Sequence, residues 1–290
     1  MFMIIFSVIS AASCYNSDTG TGSGFGNNAK PNIKVSEFNN TEDAAETLRD
    51  TSQYGFITGN VFNGKEGSIH YSYYLPESYD GKKPLPMVLT IPGYDMMWFG
   101  EESAGKNNSW NGFTEWTKLD EDLIAVTAQL TDWNEKSARQ CIELTEYFID
   151  NFNIDKSRIY AAGYSAGGET MSRAVSIRPD LYAAYLHVSS QWDGTFEPIA
   201  ENDVAVFIFI GENDEYYGSE QAEDAYQSLY EAYSLSGKDN YEIDKVLQLE
   251  VAEDEYFNRH GIDNYHAGGS LIFDDKSALN WILEHKKIKE

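Results

Sequence analysis

The sequence predicts an α/β fold in which helices flank a mostly parallel central sheet. Short apolar runs of strand length alternate with amphipathic segments of about ten to fifteen residues, and this alternation is typical of strand–helix–strand units. The 290 residues are 42% hydrophobic and 14% aromatic, which is enough apolar material for one packed core. No internal repeat or second linker interrupts the pattern, so we expect one domain over residues 33–290.

Each predicted element has its own sequence signal. Residues 69–75 alternate apolar and aromatic side chains, and residues 87–91 form an apolar run that Pro92-Gly93 ends. The other strands are short buried runs, and the helices follow the helical apolar spacing. The predicted strands are 69–75, 87–91, 123–128, 158–162, 183–188 and 204–210, and the predicted helices are 137–152, 168–176, 220–233 and 276–285.

The first 32 residues are predicted to be a processing and tether segment. Residues 1–9 are apolar but too few to cross a bilayer, and small residues at 10–13 precede Cys14. This resembles a bacterial lipobox, although no Lys or Arg precedes the apolar run and Ala11 stands where Leu is usual. We expect a signal peptide at 1–13, a flexible tether at 14–32, and a secreted or cell-surface bacterial lipoprotein anchored at Cys14. A cleaved signal without a lipid is the alternative.

Charge and cysteine content restrict the partners. A formal net charge of −26 disfavours binding to nucleic acid or to an anionic membrane surface and favours neutral or cationic ligands. Cys141 is the only cysteine besides Cys14. If Cys14 is lipidated or removed, no intramolecular disulfide can form, and we expect Cys141 to be a small buried apolar residue.

The first chemical signal is the run Gly-Tyr-Ser-Ala-Gly-Gly at 163–168. It follows a predicted strand and precedes a predicted helix, so it predicts a sharp strand-to-helix turn with Ser165 at its apex. Small residues on both sides suit such a strained turn. The turn also places the serine at a helix N-terminus, where free N–H groups favour developing negative charge. We therefore predict that Ser165 is a nucleophile.

A nucleophilic serine requires a base, and the chain has five histidines. His70 and His187 lie within predicted strands and are expected to be structural, and His285 lies at the exposed end of the last helix. His266 lies in a predicted loop just before that helix and is the preferred base. His260, beside an arginine, remains the alternative and is expected to be a surface residue.

A carboxylate should orient the histidine and stabilise its cationic form. The strand at 204–210 runs into Gly-Glu-Asn-Asp-Glu, which places several carboxylates at a strand end. Asp214 is the first choice, Glu212 and Glu215 are close competitors, and Asp193 in the preceding loop is a more distant one.

An oxyanion at the reaction centre requires two backbone donors. The N–H of Ala166 directly follows the serine and is one candidate. The second is the N–H of Tyr94, in the loop Pro92-Gly93-Tyr94-Asp95 after the strand at 87–91.

From about residue 69 to its end, the chain resembles the α/β-hydrolase superfamily, and within it the group of polyhydroxybutyrate depolymerases and feruloyl or acetylxylan esterases. Tyr-Tyr-Leu-Pro at 73–76, Pro-Gly-Tyr at 92–94, Asp-Lys-Ser-Arg-Ile at 155–159 and the 163–168 run carry the likeness. Where many relatives have His-Gly, this chain has Pro92-Gly93. The order Ser165, Asp214, His266 is the order of this superfamily, whose histidine follows the last strand. The resemblance implies ester hydrolysis through an acyl-enzyme.

The substrate is predicted from the loops that follow the strand ends. Residues 189–203 are too few for a large lid domain, and an open cleft suits bulky esters, so we expect a plant-polysaccharide ester with an acetyl or feruloyl group. Trp98, Trp133 and Trp192 follow strand ends, as does Phe99, and are candidate substrate-binding residues. No metal-ligand spacing or phosphate loop is present, and we expect no cofactor. A peptidase related to the prolyl-oligopeptidase catalytic domain and a non-catalytic binding protein are the alternatives.

Overall fold

The protein is described by a computed structural model over residues 54–287, which form an eight-stranded sheet. The predicted signal peptide, tether and lipid-bearing Cys14 lie outside the described residues. The strands are β1 Gly55–Gly64, β2 Gly67–Leu75, β3 Leu85–Ile91, β4 Ile124–Gln129, β5 Ile154–Tyr164, β6 Ala184–Val188, β7 Ala205–Gly211 and β8 Leu247–Ala252.

The strands lie in the order β1-β2-β4-β3-β5-β6-β7-β8. The β1–β2 and β2–β4 pairs are antiparallel, and the five pairs from β4–β3 to β7–β8 are parallel. Every residue of β3, β4, β6 and β7 is buried, as expected for parallel strands covered on both faces. The carboxyl ends of the parallel strands therefore meet at one edge of the sheet, where a site can form.

Helices cover both faces of this sheet. Met87 and Leu89 of β3 belong to one apolar core, and Val88 between them belongs to the other, because side chains alternate across a strand. The α-helices are α1 Asn111–Thr114, α2 Glu135–Asn151, α3 Ala166–Ile177, α4 Glu197–Glu201, α5 Glu220–Leu235, α6 Asn240–Val246, α7 Asp254–Asn258, α8 Tyr265–Gly268 and α9 Lys276–Glu284. The 3₁₀ turns are Tyr94–Met96, Glu101–Ser103, Lys106–Ser109, Glu115–Lys118 and Gly269–Asp274.

The predicted α/β fold with a mostly parallel sheet is confirmed, and all six predicted strands and four predicted helices are present. Two edge strands escaped prediction. In β1, the chain bends at a register shift between Ile57 and Asn60 and has Gly59 at a φ of +73°, which interrupts the alternation of side chains. In β8, apolar residues alternate with Gln and Glu as in a strand, but the strand directly follows α6, and no turn signal marks its start.

Three further observations concern the described residues. The connection between β6 and β7 contains only the five-residue helix α4, so no lid domain is inserted there. Between Tyr54 and Lys287, none of the helices is both long enough and apolar enough to span a membrane. Cys141 is fully buried in the core on α2, where burial raises the pKa of its thiol.

Candidate active site

Ser165 occupies a strained turn between β5 and α3. Its φ of +55° and ψ of −126° lie in a region that a residue with a Cβ rarely adopts. The flanking glycines make this turn possible. A Cβ on Gly163 would lie 2.4 Å from the Gly167 carbonyl oxygen, and a Cβ on Gly167 would lie 2.2 Å from that of Ile91. Strand β3 therefore packs directly against the start of α3.

Hydrogen bonds hold the backbone of the turn. The Ser165 N–H donates to the Val188 carbonyl at 3.0 Å. The Ser165 carbonyl accepts from the Gly168 N–H at 2.7 Å, from the Glu169 N–H at 3.1 Å and from the Ser190 hydroxyl at 2.8 Å. With its backbone bonded to β6 and to its own helix, the serine presents its hydroxyl from a fixed position.

His266 lies within hydrogen-bonding distance of the Ser165 hydroxyl. Its Nε2 lies 2.9 Å from Ser165 Oγ. The ring lies between those of Tyr164 and Tyr216, at centroid distances of 5.6 and 5.1 Å and interplanar angles of 25° and 30°. The sequence predicts a loop at this position, whereas the structure has the one-turn helix α8. The side chain of Asn264 caps the N-terminus of this helix by accepting the Ala267 N–H at 2.7 Å.

Asp214 contacts the opposite side of the histidine ring. Its Oδ2 and Oδ1 lie 2.9 and 3.2 Å from His266 Nδ1, and Oδ1 accepts the N–H groups of Tyr216 and Tyr217 at 2.9 and 3.0 Å. Burial alone would raise the pKa of Asp214, but the hydrogen bonds and the charge interaction with His266 outweigh burial and hold that pKa below its usual value. The carboxylate thus favours the tautomer with hydrogen on Nδ1, which leaves Nε2 free to accept the serine proton.

The three competing carboxylates lie elsewhere. Glu215 is exposed and accepts the N–H groups of Tyr265 and His266 at 3.0 and 2.8 Å, so it anchors the start of α8 rather than the histidine ring. Glu212 is exposed, and Asp193 pairs with Arg173 at 2.7 Å. Asp214 is the one of the four candidates whose carboxylate contacts the His266 ring.

The other histidines have structural contacts. Burial lowers the pKa of His187 to about 4, and its ring nitrogens bond the Tyr185 hydroxyl and the Ser190 carbonyl. His260 is exposed, and its Nδ1 lies 2.7 Å from the Tyr256 carbonyl oxygen. His70 stacks on a tryptophan, and His285 Nδ1 bonds the carbonyl of Trp281.

The two backbone N–H groups predicted to bind an oxyanion belong to residues near the serine. Ala166 is the first residue of α3, and an N–H in that position has no partner within its helix. Tyr94 is the first residue of a 3₁₀ turn. The preceding Gly93 lies so close that a Cβ on it would be 3.3 Å from Ser165 Cβ. Both predicted donors therefore lie beside the serine.

Sequence reasoning missed a partly buried acid–phenol pair next to the serine. The Tyr217 hydroxyl donates to Glu169 Oε1 at 2.5 Å. Burial, with the charge of Asp193, raises the pKa of Glu169 despite that hydrogen bond, and burial raises the pKa of Tyr217 as well. The available signal was a glutamate four residues after the serine, on the first turn of α3, but one acidic residue stands out little in a chain with 47.

The three predicted substrate-binding tryptophans differ in exposure. Trp98 lies flat on His70, with ring centroids 3.3 Å apart and an interplanar angle of 8°. Trp192 is half-buried against Phe196, with ring centroids 5.5 Å apart. Trp133 is 40% exposed. No group of three or more His, Cys, Asp or Glu side chains in residues 54–287 has the arrangement of a metal site.

Part of the chain matches a family model. Residues 127–246 match the model described as the prolyl oligopeptidase family. This segment contains Ser165 and Asp214 and ends before His266. No curated protein matches the chain.

Solved structures with the same fold include both esterases and peptidases. A thermostable esterase is 21% identical with a TM-score of 0.66; the match covers 80% of this chain and 63% of that one, so this chain spans less than two thirds of its length. A serine-to-alanine mutant of the feruloyl esterase module from Clostridium thermocellum, complexed with sinapinate, is 16% identical with a TM-score of 0.53 and coverages of 81% and 90%. An acylaminoacyl peptidase is 13% identical with a TM-score of 0.50 and coverages of 80% and 42%. The chain has the α/β-hydrolase fold, and its predicted resemblance to that superfamily, with esterases among its structural neighbours, is confirmed.

Proposed function

We propose that the chain is a serine carboxylesterase that hydrolyses its substrate through an acyl-enzyme on Ser165. The observation that carries this proposal is the continuous hydrogen-bonded chain from Asp214 through His266 to Ser165, on a turn held in a strained conformation. A nucleophile, a base and an orienting acid within hydrogen-bonding distance are the parts that acyl transfer requires.

The reaction follows from these contacts. Ser165 Oγ attacks the ester carbonyl carbon and gives its proton to His266 Nε2, while the N–H groups of Ala166 and Tyr94 bind the oxyanion. The C–O bond to the alcohol then breaks, and the alcohol leaves with the proton from His266. In the second half, water attacks the acyl carbon, His266 takes its proton and returns it to Ser165, and the carboxylic acid is released.

For the substrate, we propose a carbohydrate-linked acetyl or feruloyl ester of plant polysaccharide. The esterases among the structural neighbours support this class. The short connection between β6 and β7 supports it as well, because no inserted lid between those strands encloses the serine. A neutral polymer also suits a protein with a net charge of −26, which would repel a polyanion.

For the location, we propose export and lipid attachment at Cys14, on the pattern of residues 1–14. Partition of the expressed chain into a detergent phase tests this proposal. A Cys14→Ser variant should move to the aqueous phase, and wild-type protein found only in the aqueous phase would contradict lipid attachment.

Hydrolysis of p-nitrophenyl acetate and methyl ferulate tests the activity. We expect turnover by the wild type and a fall of at least about 10³-fold in kcat for Ser165→Ala. Ser234→Ala, an exposed serine on α5, is the matched control and should hydrolyse both esters as the wild type does. Equal turnover by Ser165→Ala and the wild type would exclude Ser165 as the nucleophile.

A peptidase is the second candidate, because the matched family model is that of prolyl oligopeptidases. It would use the same three side chains on an amide carbonyl. Cleavage of peptide p-nitroanilides without hydrolysis of either ester would favour the peptidase. Absence of both activities in folded protein would favour a non-catalytic binding protein.

A further inference from the structure

We propose that Tyr94, Phe99 and Trp133 form a stacking platform for the neutral polysaccharide chain that carries the ester. The inference rests on the proposed function for the identity of the substrate, and its test uses polysaccharide without ester groups.

The platform is a continuous exposed aromatic surface. The three side chains are 52%, 54% and 40% exposed. Their rings contact one another, with centroids 5.0 Å apart for Tyr94 and Phe99 and 5.7 Å apart for Tyr94 and Trp133. Aromatic side chains that expose half their surface next to one another lose the free energy of burial, and such patches mark binding surfaces.

The platform lies beside the candidate nucleophile. Its first residue, Tyr94, follows Gly93, whose backbone packs against Ser165. Phe99 belongs to the same loop after β3, and Trp133 belongs to the loop after the neighbouring strand β4. A polymer lying on the three rings would therefore come close to the end of β5, where Ser165 lies.

The exposed rings stand on a rigid base. Gln129, the buried last residue of β4, accepts the Gly105 N–H and donates to the carbonyls of Met96 and Ser103, each at 2.8 Å. The Phe99 N–H donates to the Ser103 hydroxyl at 2.7 Å. A surface held in this way loses little conformational entropy when it binds a ligand.

Next to Phe99 in the chain, Trp98 makes a second set of contacts that hold the loop. Its backbone N–H donates to the Leu130 carbonyl at 2.8 Å. Its ring stacks on His70, which lies opposite Gln129 in the β2–β4 pair. Trp98 thus supports the loop, while its neighbour Phe99 presents a ring to solvent.

The charges around the rings favour a neutral sugar polymer. Asp95, Glu101 and Glu102 are exposed on the same loop, so they would repel polyuronates and anionic lipid surfaces. A pyranose ring has an apolar face of C–H groups with small positive charge, which suits the negative face of an aromatic ring. Stacking of this kind needs no basic residue and tolerates a range of sugar sequences.

Native affinity electrophoresis of the full chain in gels containing alkali-de-esterified arabinoxylan tests the platform. We expect the gel to retard the wild type. The dissociation constant should be at least about tenfold higher for the double variant Phe99→Ala/Trp133→Ala. For Phe99→Tyr/Trp133→Phe, which keeps two aromatic rings, the dissociation constant should stay within about threefold of the wild-type value. Tyr241→Ala removes a 69% exposed aromatic ring on α6 and is the matched control, which should bind as the wild type does. Polygalacturonate should not retard any of these proteins.

Two results would overturn the platform: no retardation of the wild type, or equal retardation of the wild type and the alanine double variant. If the alanine double variant changes only the KM for methyl ferulate, the rings bind an aromatic acyl group instead. Hydrolysis of p-nitrophenyl acetate is measured on the same samples. Retardation without any ester turnover would refute the proposed esterase and leave the polysaccharide surface standing.

Discussion

Ser165 lies between two walls, one formed by the loops after β6 and β7 and the other by the loops after β3 and β4. The β6–β7 wall carries buried, hydrogen-bonded carboxylate groups beneath exposed side chains such as Tyr216. Asp214, in the loop after β7, is 5% exposed and accepts N–H groups of its own turn. Glu169, on the adjoining first turn of α3, is 7% exposed and accepts the hydroxyl of Tyr217 from that loop. The β3–β4 wall presents aromatic rings to solvent, and the buried amide of Gln129 holds the backbone of its loops from below.

In the proposed function, the two walls would have separate tasks. Acid–base chemistry requires fixed protonation states and fixed angles, which a buried hydrogen-bonded wall provides. Contact with a long neutral polymer requires exposed area on a rigid support, which the aromatic wall provides. Substitutions on the two walls should therefore affect different measured quantities.

The largest effect is expected on the polar wall. Asp214→Asn keeps the shape of the side chain but removes the charge that selects the tautomer of His266, so kcat for p-nitrophenyl acetate should fall by about 10³- to 10⁴-fold. Glu215→Gln changes the next residue in the same turn, whose carboxylate accepts only backbone N–H groups, and should lower kcat by less than about tenfold. Equal losses in the two variants would contradict the assignment of Asp214.

The same two walls show what sequence reasoning reached. The order of strand, glycine-flanked serine and helix is local, and so is the carboxylate at a strand end. Ser165 could therefore be placed from neighbouring residues alone, whereas the strand end left Glu212 and Glu215 as competitors of Asp214. The structure brings Ser165 and Asp214 together with His266. Their catalytic roles stay predictions until the variants are measured.

What was missed depends on contacts between distant segments. Glu169 and Tyr217 are 48 residues apart, and nothing in either neighbourhood signals their hydrogen bond. The sequence could not show which aromatic residues after β3 face solvent. Trp98 and Phe99 follow the same strand, but in the structure Trp98 stacks on His70 and Phe99 is exposed. Edge strand β8 escaped for a related reason, since its pairing with β7 requires the completed sheet.

A smaller effect is expected beneath the aromatic wall. Gln129→Leu keeps the approximate volume but leaves the Met96 and Ser103 carbonyls and the Gly105 N–H without this partner, so the free energy of unfolding should fall by about 1–3 kcal/mol. The affinity for de-esterified arabinoxylan should fall by about three- to tenfold, because the rings lose their support. Urea unfolding and affinity electrophoresis measure the two quantities.

Gln227→Leu, at an exposed position on α5, is the control for the change of residue type. If Gln129→Leu is destabilised yet binds arabinoxylan as the wild type does, binding does not depend on the support from Gln129. The proposal that rigidity of the aromatic wall aids binding would then be wrong.

The smallest effect is a pH-dependent change of stability at Glu169. Because its pKa is raised in the folded protein, the native state binds a proton more readily than the unfolded chain does. The wild type therefore loses stability as pH rises from the unfolded pKa, about 4.3, towards the raised native value. Glu169→Gln removes this loss and retains an oxygen that accepts the Tyr217 hydroxyl.

We therefore expect a higher melting temperature for Glu169→Gln than for the wild type at neutral pH, with the difference shrinking towards zero as pH falls below about 4. Glu223→Gln, an exposed glutamate on α5, controls for the loss of one negative charge in an acidic protein. A lower melting temperature for Glu169→Gln at neutral pH would mean that Tyr217, Arg173 and Gln191 stabilise the charged carboxylate more than burial and Asp193 oppose it. These three groups would then favour the ionised form of Glu169 beside Ser165, and its negative charge would attract a cationic group on a substrate.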